Sequence, residues 1–357
     1  MITKLRVSTI YGVIVKLVNR AFVIIFSYLI ITGVNAQSSR DYISIVGSST
    51  VYPFSIVVAE NFGLATGYRT PTIESTGSGG GIRAFCQGIG LNFPDITNSS
   101  RRIRQSEVDQ CNSNGVSEII EVKVGYDGIV LANSLSGHNF NLTKEEIFLA
   151  LAKTVPDGNG GLIENPYTVW SEINSSFPNN RIEVLGPPPT SGTRDAFVEL
   201  VMDAACSSFP EIEALDGEAH QLACQSMRED GHFIEAGEND NMIIQRLNIN
   251  SNALGIFGYS FLDQNRDVVK GSRIDDVVPE FDFIVGGQYP ISRPLYFYVK
   301  SAHVGIVPGL EEFIFEYTDE NTIGEFGYLT DRGLIPMGYE EFEMIQSSAR
   351  QLSPLQL

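Results

Sequence analysis

Short runs of β-branched and apolar residues alternate along this chain with segments whose apolar residues recur at helical spacing. Near the beginning, YISIVG (42–47) is typical of a buried strand, and the apolar residues of 54–62 then repeat on one helix face. Such alternation predicts an α/β fold. The other predicted strands lie at 72–75, 118–124, 127–134, 181–186, 252–260 and 293–300, and the other predicted helices at 144–153, 193–206, 242–249 and 309–318.

Length and composition agree with a globular body. The 357 residues suffice for about two domains. Hydrophobic residues make up 43% and charged residues 19%, which excludes a largely disordered chain. Two segments rich in glycine, proline and polar residues, 156–166 and 207–221, are predicted to be surface loops.

The N-terminus has the pattern of an export signal. Four basic residues precede the apolar run 21–34, which ends in small residues before Ala36. We therefore predict a signal peptide over 1–36, cleaved after Ala36. A retained membrane anchor is the alternative, but the run has 14 residues, whereas a spanning helix needs about 20.

The charge balance is strongly acidic. The chain has 43 acidic and 24 basic residues and a formal charge of −19, and removal of 1–36 takes away four basic residues and no acidic one. Nucleic-acid binding requires Lys and Arg that replace counterions along the phosphates, so this class of partner is excluded. Anionic membrane surfaces are disfavoured for the same reason.

The four cysteines favour disulfides, because export brings the chain into an oxidising compartment. Four cysteines allow three pairings. Separations of 25 and 18 residues favour Cys86–Cys111 and Cys206–Cys224, and free thiols in the core are the alternative. The C-x2-C spacing of many metal sites is absent, and no cysteine follows the cleavage site closely enough to carry a lipid. The sequence thus predicts a soluble periplasmic protein.

One local pattern occurs three times: an extended segment enters a turn rich in Gly, Ser and Thr, and the turn opens a helix. Free N–H groups and the helix dipole at each such start attract an anion, and three converging starts would surround one. An ordinary helix cap is the alternative for each segment taken alone. The three segments are SIVGSSTVYPFS (44–55), STGSGGGIRAF (75–85) and GPPPTSGTRDAF (186–197).

Each turn contains residues suited to this role. Pro53 fits a first helical turn, and Ser191 and Thr193 are candidate N-caps. The glycines at 77, 79, 80 and 81 can adopt backbone angles forbidden to other residues and let backbone amides approach a ligand closely. A further segment, DITNSSRRIR (95–104), brings three arginines beside hydroxyls, which can hold a tetrahedral oxyanion. A solvated basic turn is its alternative interpretation.

Together these segments resemble the periplasmic phosphate-binding component of the phosphate ABC transporter. The family fold is α/β, a two-lobe periplasmic-binding-protein fold of type II, in which each lobe is a mixed sheet flanked by helices and two crossovers join the lobes. The resemblance implies crossovers near 120–124 and 288–292, with 37–122 and 290–357 in lobe 1 and 123–289 in lobe 2. It rests on GSSTVYP, TGSGGG, DITNSSR, PPPTSGTRDAF, NALGIFGYS and YPISRPLYFYV, which occur in the family's order and span the mature chain.

The resemblance also implies a function. It predicts a monomeric periplasmic receptor that binds inorganic phosphate with high affinity and delivers it to an inner-membrane ABC phosphate permease, with no cofactor and no nucleic acid. The phosphate ligands that it implies are Ser49, Thr50, Val51, Ser78, Ser100, Arg101, Ser191, Gly192, Thr193 and Arg194.

Two positions depart from the family pattern. Better-known members carry an arginine ahead of S-G-T, where this chain has prolines at 187–189, so Arg101 or Arg194 is expected to supply the positive charge. Those members also carry an aspartate at the position of Ser100, which accepts the phosphate proton and excludes sulfate. Either Asp195 takes over this role, or discrimination against sulfate is weaker here.

Two other functions remain open on the sequence, an exported phosphoester hydrolase and a receptor for another tetrahedral oxyanion such as sulfate. The motifs H-E-x-x-H, G-x-S-x-G and G-x-x-x-x-G-K-[ST] are absent. The D-x-N-x-D segment at 263–267 lacks the glycine and glutamate of a calcium loop. The histidines at 138, 220, 232 and 303 are scattered without ligand spacing. We therefore predict no catalytic and no metal-binding residue.

Overall fold

The computed structural model describes residues 40–237 and 240–356, and all structural statements below refer to these residues. The predicted signal peptide lies outside them. The chain divides after Arg40 into two units, and the second, 41–357, carries the fold. In the described part, no helix is both long and apolar enough to cross a membrane.

The strands confirm the α/β expectation. Their positions agree with most predicted strands to within a few residues. Their bounds are β1 Ser44–Gly47, β2 Thr72–Ser75, β3 Ile96–Ser99, β4 Ile119–Ser134, β5 Asn141–Leu142, β6 Thr154–Pro156, β7 Leu162–Glu164, β8 Val184–Gly186, β9 Phe233–Glu235, β10 Leu254–Gly258, β11 Val269–Gly271, β12 Arg273–Ile274 and β13 Ser292–Lys300.

The helices confirm the predicted helical segments and add shorter ones. A π-helical turn, Val198–Met202, and two 3-10 turns, Ser301–His303 and Thr330–Arg332, complete the helical structure. The α-helices are α1 Tyr52–Ala65, α2 Ser78–Phe85, α3 Gln105–Ser113, α4 Lys144–Leu151, α5 Trp170–Ile173, α6 Gly192–Phe197, α7 Asp203–Cys206, α8 Pro210–Glu213, α9 Gly217–Gln225, α10 Asp240–Ile249, α11 Tyr259–Gln264, α12 Phe281–Val285, α13 Leu310–Tyr317, α14 Glu320–Ile323 and α15 Tyr339–Arg350.

A nine-stranded mixed sheet forms the centre of the fold, in the order β2-β1-β3-β13-β4-β10-β8-β9, with β11 also paired to β4. β1 runs parallel to β2 and β3 on one side, and β8 runs parallel to β9 and β10 on the other. The antiparallel pair β13 and β4 lies between these two groups. The sheet therefore has two sets of parallel strands, each with its own carboxyl edge. The assignment of 37–122 with 290–357 and of 123–289 to two lobes stays a prediction.

The predicted break between 124 and 127 was wrong, because 119–134 form one strand. Gly125 lies in the middle with φ 146°, and next to it the pairing between β4 and β13 shifts register between Leu295 and Tyr296. The glycine allows the strand to bend without ending. β4 thereby pairs with β13 along its first part and with β10 along its second part.

The two predicted surface segments do lie mostly at the surface, but they contain regular structure. Leu162–Glu164 pairs with Thr154–Pro156 as a hairpin, and two helices, α8 and α9, fall within or extend from 207–221. Proline at the first position of α8 and the cysteine that anchors α9 explain these helices. A composition rich in turn formers concealed them.

Both predicted disulfides are present. Cys86 pairs with Cys111 and Cys206 with Cys224, and the described part contains no free cysteine. The first pair lies in a small core cluster with Phe85, separate from the main hydrophobic core. It joins the end of α2 to α3, whereas the second pair joins α7 to α9.

Helix α2 lies directly on the sheet because glycines face each other at the contact. A Cβ built on Gly81 would be 2.4 Å from the Cα of Gly47 and 2.7 Å from Thr97 Oγ1. Of the four glycines in this turn, only Gly77 has a positive φ, a backbone angle that other residues rarely adopt. Gly81 is needed for close approach instead.

We expect Gly81→Ala to lower the free energy of unfolding by about 1–3 kcal/mol, because the added methyl group meets rigid backbone. Gly79→Ala is the matched control on the same helix, since its Cβ would meet only the end of the Arg83 side chain, at 3.5 Å. Urea denaturation of both variants measures the difference. Equal losses at the two positions would contradict the packing argument.

Candidate ligand-binding site

A cavity of about 340 Å3 lies where the two sets of parallel strands end. Its walls come mainly from the segments that follow β1, β8, β9 and β10, and ligands of open α/β sheets bind outside such carboxyl ends. The lining residues are Ser49, Thr50, Tyr52, Pro53, Phe54, Asp127, Thr190, Ser191, Gly192, Thr193, Asp240, Gly258, Ser260, Phe261, Arg332 and Gly333.

The first predicted turn forms one wall of this cavity. The chain leaves β1, and Ser48 accepts hydrogen bonds from the N–H groups of Val51 (3.4 Å, at Oγ) and Tyr52 (3.0 Å, at the carbonyl) before α1 begins. Pro53 occupies the first turn of α1 as predicted, and this turn has no acidic residue. The positive end of the helix dipole is therefore not compensated by a carboxylate of the helix itself.

The third predicted turn forms the facing wall. Ser191 is the N-cap of α6, and its Oγ accepts a hydrogen bond from Thr193 N–H at 3.2 Å. The helix continues through the π turn and α7 to Cys206, as the predicted helix over 193–206 requires. A Cβ on Gly192 would lie 3.5 Å from Ser49 O and 3.7 Å from Thr50 Cα. The first and third turns therefore lie so close together that one methyl group on Gly192 would fill the space between them.

The second turn and the arginine-rich segment contact each other but do not line this cavity. Ser100 N–H donates to Ser78 Oγ at 3.1 Å, and the two hydroxyl oxygens are also 3.1 Å apart. Ser78 and Ser100 follow β2 and β3, so they lie along the same sheet edge as the turn after β1. The structure thus joins the predicted residues in two groups.

The two arginines that the sequence singled out also lie outside the lining of the cavity. Arg101 forms a two-pronged pair with Glu107 at 2.7 and 2.9 Å, and these hydrogen bonds raise the pKa of Arg101. Arg194 donates to Pro187 O at 3.1 Å and lies over the ring of Phe233. Burial lowers the pKa of Arg194.

Arg194 belongs to a second cavity. This cavity has a volume of about 430 Å3, and its lining includes Asp195, Glu199 and Asp203. Asp195 is exposed and is not among the residues that line the first cavity. Neither the two predicted cations, Arg101 and Arg194, nor the predicted proton acceptor Asp195 is therefore among the residues that line the first cavity.

A different arginine, Arg293 of β13, lies beside these two turns. Its side chain is only 7% exposed, and its Nη2 donates to Thr50 Oγ1 at 2.9 Å. Its Nη1 donates to Glu199 at 2.5 Å. The sequence did contain an indication that Arg293 is important. It lies inside the apolar run ISRPLYFYV, and an arginine in a buried strand must be paired.

Asp127 of β4 is the second residue that sequence reasoning missed. It lines the cavity, and its Oδ2 lies 3.7 Å from Nε of Arg293. Both atoms are buried and have no hydrogen-bond partner among the described residues. Burial raises the pKa of Asp127, although Arg293 and the N–H of Gly128 oppose this effect. A buried donor and a buried acceptor at one cavity are suited to a polar ligand.

Glu199 reaches Arg293 from the π turn, a local irregularity that often occurs at functional sites. Its carboxylate is 54% exposed, in contrast to the arginine that it binds. Arg293 is therefore held by a hydroxyl after β1, a carboxylate from a helix and a carboxylate from β4.

Asp240 is a third acidic residue at the cavity. It begins α10, is 8% exposed and accepts a hydrogen bond from Gly258 N–H. Burial raises the pKa of Asp240 to about 6. By contrast, Asp263 of the D-x-N-x-D segment pairs with Arg266 at 2.9 Å near the surface.

Sequence comparison identifies relatives for most of the chain. The model of the PBP superfamily domain matches residues 33–321. Protein SphX of Synechococcus elongatus is 30% identical over 271 residues, which are 74% of this chain and 70% of that protein. The phosphate-binding protein PstS of Staphylococcus haemolyticus is 30% identical over 276 residues, which are 75% and 73% of the two chains.

Comparison with solved structures agrees with the result of the sequence comparison. A possible phosphate binding protein from Planctomyces limnophilus superposes with a TM-score of 0.71 at 27% identity, over 87% of this chain and 98% of that one. PstS from Borrelia burgdorferi gives a TM-score of 0.56 at 16% identity, over 84% and 100% of the two chains, which shows a shared fold. The fold is that of a periplasmic binding protein, as the sequence predicted.

The pKa of Asp240 predicts a pH dependence of stability. Because its pKa is about 6 in the folded chain and 3.8 in its ordinary state, its contribution to stability is fully present below pH 3.8 and is lost as the pH rises through 6. Asp240→Asn removes this loss. We expect the stability of the variant relative to the parent to grow by roughly 2–3 kcal/mol between pH 3.5 and pH 7.

Urea denaturation across this pH range measures the difference. Asp195→Asn is the control, since that aspartate also lies at a helix start but is exposed. A constant difference between Asp240→Asn and the parent at all pH values would show that burial does not shift this carboxyl group.

Proposed function

Because this chain belongs to the PBP superfamily, in the group that contains the PstS and SphX proteins, we propose that it is a periplasmic receptor for inorganic phosphate. It acts as a monomer after removal of 1–36, passes the ligand to an inner-membrane ABC permease and performs no chemistry on it. One observation carries the proposal: two helix starts meet at one cavity, and the buried Arg293 donates a hydrogen bond to Thr50, which lines that cavity.

Phosphate binds in this proposal at the junction of the first and third turns. The backbone N–H groups and hydroxyls of two helix starts donate to its oxygens, and the guanidinium of Arg293 supplies the nearby positive charge. Hydrogen bonds to charged groups are worth about 1.5–3 kcal/mol each, so a few such donors suffice for tight binding. The proposed donating residues are Ser49, Thr50, Ser191, Gly192 and Thr193, whereas the N–H of Val51 must first leave Ser48 Oγ before it can donate to the ligand.

The proposed lobes contribute to this site together. Thr50 and Arg293 belong to the segments assigned to lobe 1, whereas Asp127 and Ser191 to Thr193 belong to lobe 2. Ser78 and Ser100, which lie along the same edge as Thr50, stay candidate ligands within lobe 1. Binding between lobes would bury the ligand on all sides, which strengthens each charged contact.

We expect Arg293→Gln to weaken phosphate binding by a factor of 30 or more. Removal of one partner from a buried charged pair costs about 2–5 kcal/mol, part of which comes from the carboxylates that are left behind. Isothermal titration with inorganic phosphate measures the loss. Arg194→Gln is the matched control, because Arg194 is half-buried beside Phe233 and donates to Pro187 O, whereas Arg293 donates to Thr50 in the wall of the cavity.

A loss in Arg194→Gln with none in Arg293→Gln would contradict this site and favour the arginine expected from the sequence. Turnover of p-nitrophenyl phosphate by the parent protein, with or without divalent metal, would contradict the receptor function itself. Tighter binding of sulfate than of phosphate would indicate a receptor for another oxyanion.

Asp127 is the proposed residue that distinguishes phosphate from sulfate. At pH 7–8 essentially every phosphate ion carries one or two protons, and sulfate carries none. A buried carboxylate accepts that proton but is left unpaired beside sulfate, which can produce a large difference in affinity. A serine hydroxyl at position 100 rotates and can donate to either anion. The unpartnered, buried Oδ2 of Asp127 at the cavity supports this role.

We therefore expect Asp127→Asn to lower the ratio of phosphate affinity to sulfate affinity at pH 8 by at least tenfold, because an amide can donate to sulfate. In the parent, the ratio should fall as the pH is lowered, since the raised pKa of Asp127 brings protonation closer to neutrality. Competition titrations at pH 6 and pH 8 measure both effects. If the exposed Asp195 is the proton acceptor instead, Asp195→Asn will show the loss and Asp127→Asn will not.

A further inference from the structure

Outside the ligand cavity, the described part of the chain holds one cluster of three side chains suited to a metal ion. The donor atoms of Cys206, His220 and Cys224 all lie within 4.8 Å of one another. Cys206 ends the helix that starts at Gly192, and His220 and Cys224 lie one turn apart on α9. The two cysteines form a disulfide in the structure.

The histidine already lies at the distance from sulfur that a zinc site requires. Its Nε2 and Nδ1 are 3.7 and 3.8 Å from Cys224 Sγ. Tetrahedral zinc with a Zn–S bond of ~2.3 Å and a Zn–N bond of ~2.1 Å separates the two ligand atoms by about 3.6 Å. Either ring nitrogen could therefore bind the metal after rotation of the imidazole.

The geometry around Cys206, Cys224 and His220 allows both sulfurs to bind a metal ion and leaves the metal accessible to a further ligand. The Cα atoms of the two cysteines are 5.4 Å apart, so rotations about their Cα–Cβ bonds can separate the sulfurs without moving the helices. His220 is 37% exposed and gives the site access to solvent. Glu213 Oε2 lies 3.9 Å from His220 Nε2, so a carboxylate is also close to the cluster.

We propose that reduction of the Cys206–Cys224 disulfide creates a zinc-binding site whose protein ligands are Cys206, Cys224 and His220. A dithiol supplies two electrons and two protons, so the S–S bond becomes two thiols and the dithiol becomes a cyclic disulfide. Zn2+ then binds both sulfurs as thiolates and one neutral imidazole nitrogen, and the two thiol protons pass to solvent. The metal replaces the covalent link between α7 and α9.

The other disulfide provides a natural comparison. Cys86 and Cys111 are fully buried, and no His, Asp or Glu of the described residues forms a cluster of three with them. Two thiols alone would leave half of a tetrahedral coordination sphere to water in an apolar pocket. Only the second pair is therefore expected to bind zinc after reduction.

The test uses mature protein carrying Cys86→Ser and Cys111→Ser, so that one cysteine pair remains. The protein is reduced with dithiothreitol, freed of reductant without oxygen, and shown by thiol titration to contain two thiols. Cobalt(II) is the probe, because thiolate ligands give it intense near-ultraviolet charge-transfer absorption. We expect such absorption at one cobalt per chain, and its loss on addition of one equivalent of Zn2+.

Two variants distinguish a metal site that includes His220 from metal binding by the two thiols alone. His220→Asn keeps both cysteines and should weaken cobalt binding by tenfold or more. Cys206→Ser with Cys224→Ser, which retains the other pair, should bind no cobalt through sulfur. Absence of the absorption in the reduced protein, or equal affinity in His220→Asn, would overturn the proposal.

A second measurement covers the case in which reduction loosens the fold. A metal that binds only the folded chain stabilises it. Zn2+ should then restore the near-ultraviolet circular dichroism of the reduced protein, and not that of the reduced His220→Asn variant. If zinc restores both equally, or neither, the histidine is not a ligand and the proposal fails.

Discussion

The buried guanidinium of Arg293 is the constraint on which the ligand site depends. An arginine this deep in the fold is stable only if its donors are paired, because an isolated buried charge costs several kcal/mol. Its partners come from the turn after β1, the π turn and β4. One charge therefore fixes the relative positions of three segments that are far apart in sequence, and two of them, the turn after β1 and β4, also line the cavity.

The positive charge of Arg293 is opposite in sign to the net charge of the whole protein. With a formal net charge of −19, the protein repels an anion at long range, so electrostatic steering cannot deliver phosphate to it. Binding must rest on contacts inside the cavity, where helix-start N–H groups and Arg293 act over short distances. Such buried contacts are screened weakly by salt, and the acidic surface is free to serve solubility.

The sequence predicted the parts of the site that local chemistry determines. The residue types of Ser191 and Pro53 are sufficient to predict helix starts. The spacing of the four cysteines favoured the disulfide pairing that the structure contains. Arg293 and Thr50 are 243 positions apart, and their contact depends on the order of β1, β3, β13 and β4 in the sheet. The order of strands in a sheet cannot be inferred from a local sequence pattern. Sequence analysis therefore selected Arg101 and Arg194, which lie within the recognisable motifs, as the candidate cations of the site.

The three carboxylates near Arg293 and the cavity differ in how they can respond to an anion. Asp127 and Asp240 are held on buried elements, so an incoming negative charge can only raise their pKa values further and favour uptake of a proton. Glu199 binds the guanidinium from a side chain that is 54% exposed, and rotation into water costs it little. Of the two carboxylates that bind Arg293, Glu199 is therefore the easier one to displace into water. Asp127 is held on β4 and lines the cavity, so in the proposed site it is the carboxylate next to the ligand's proton.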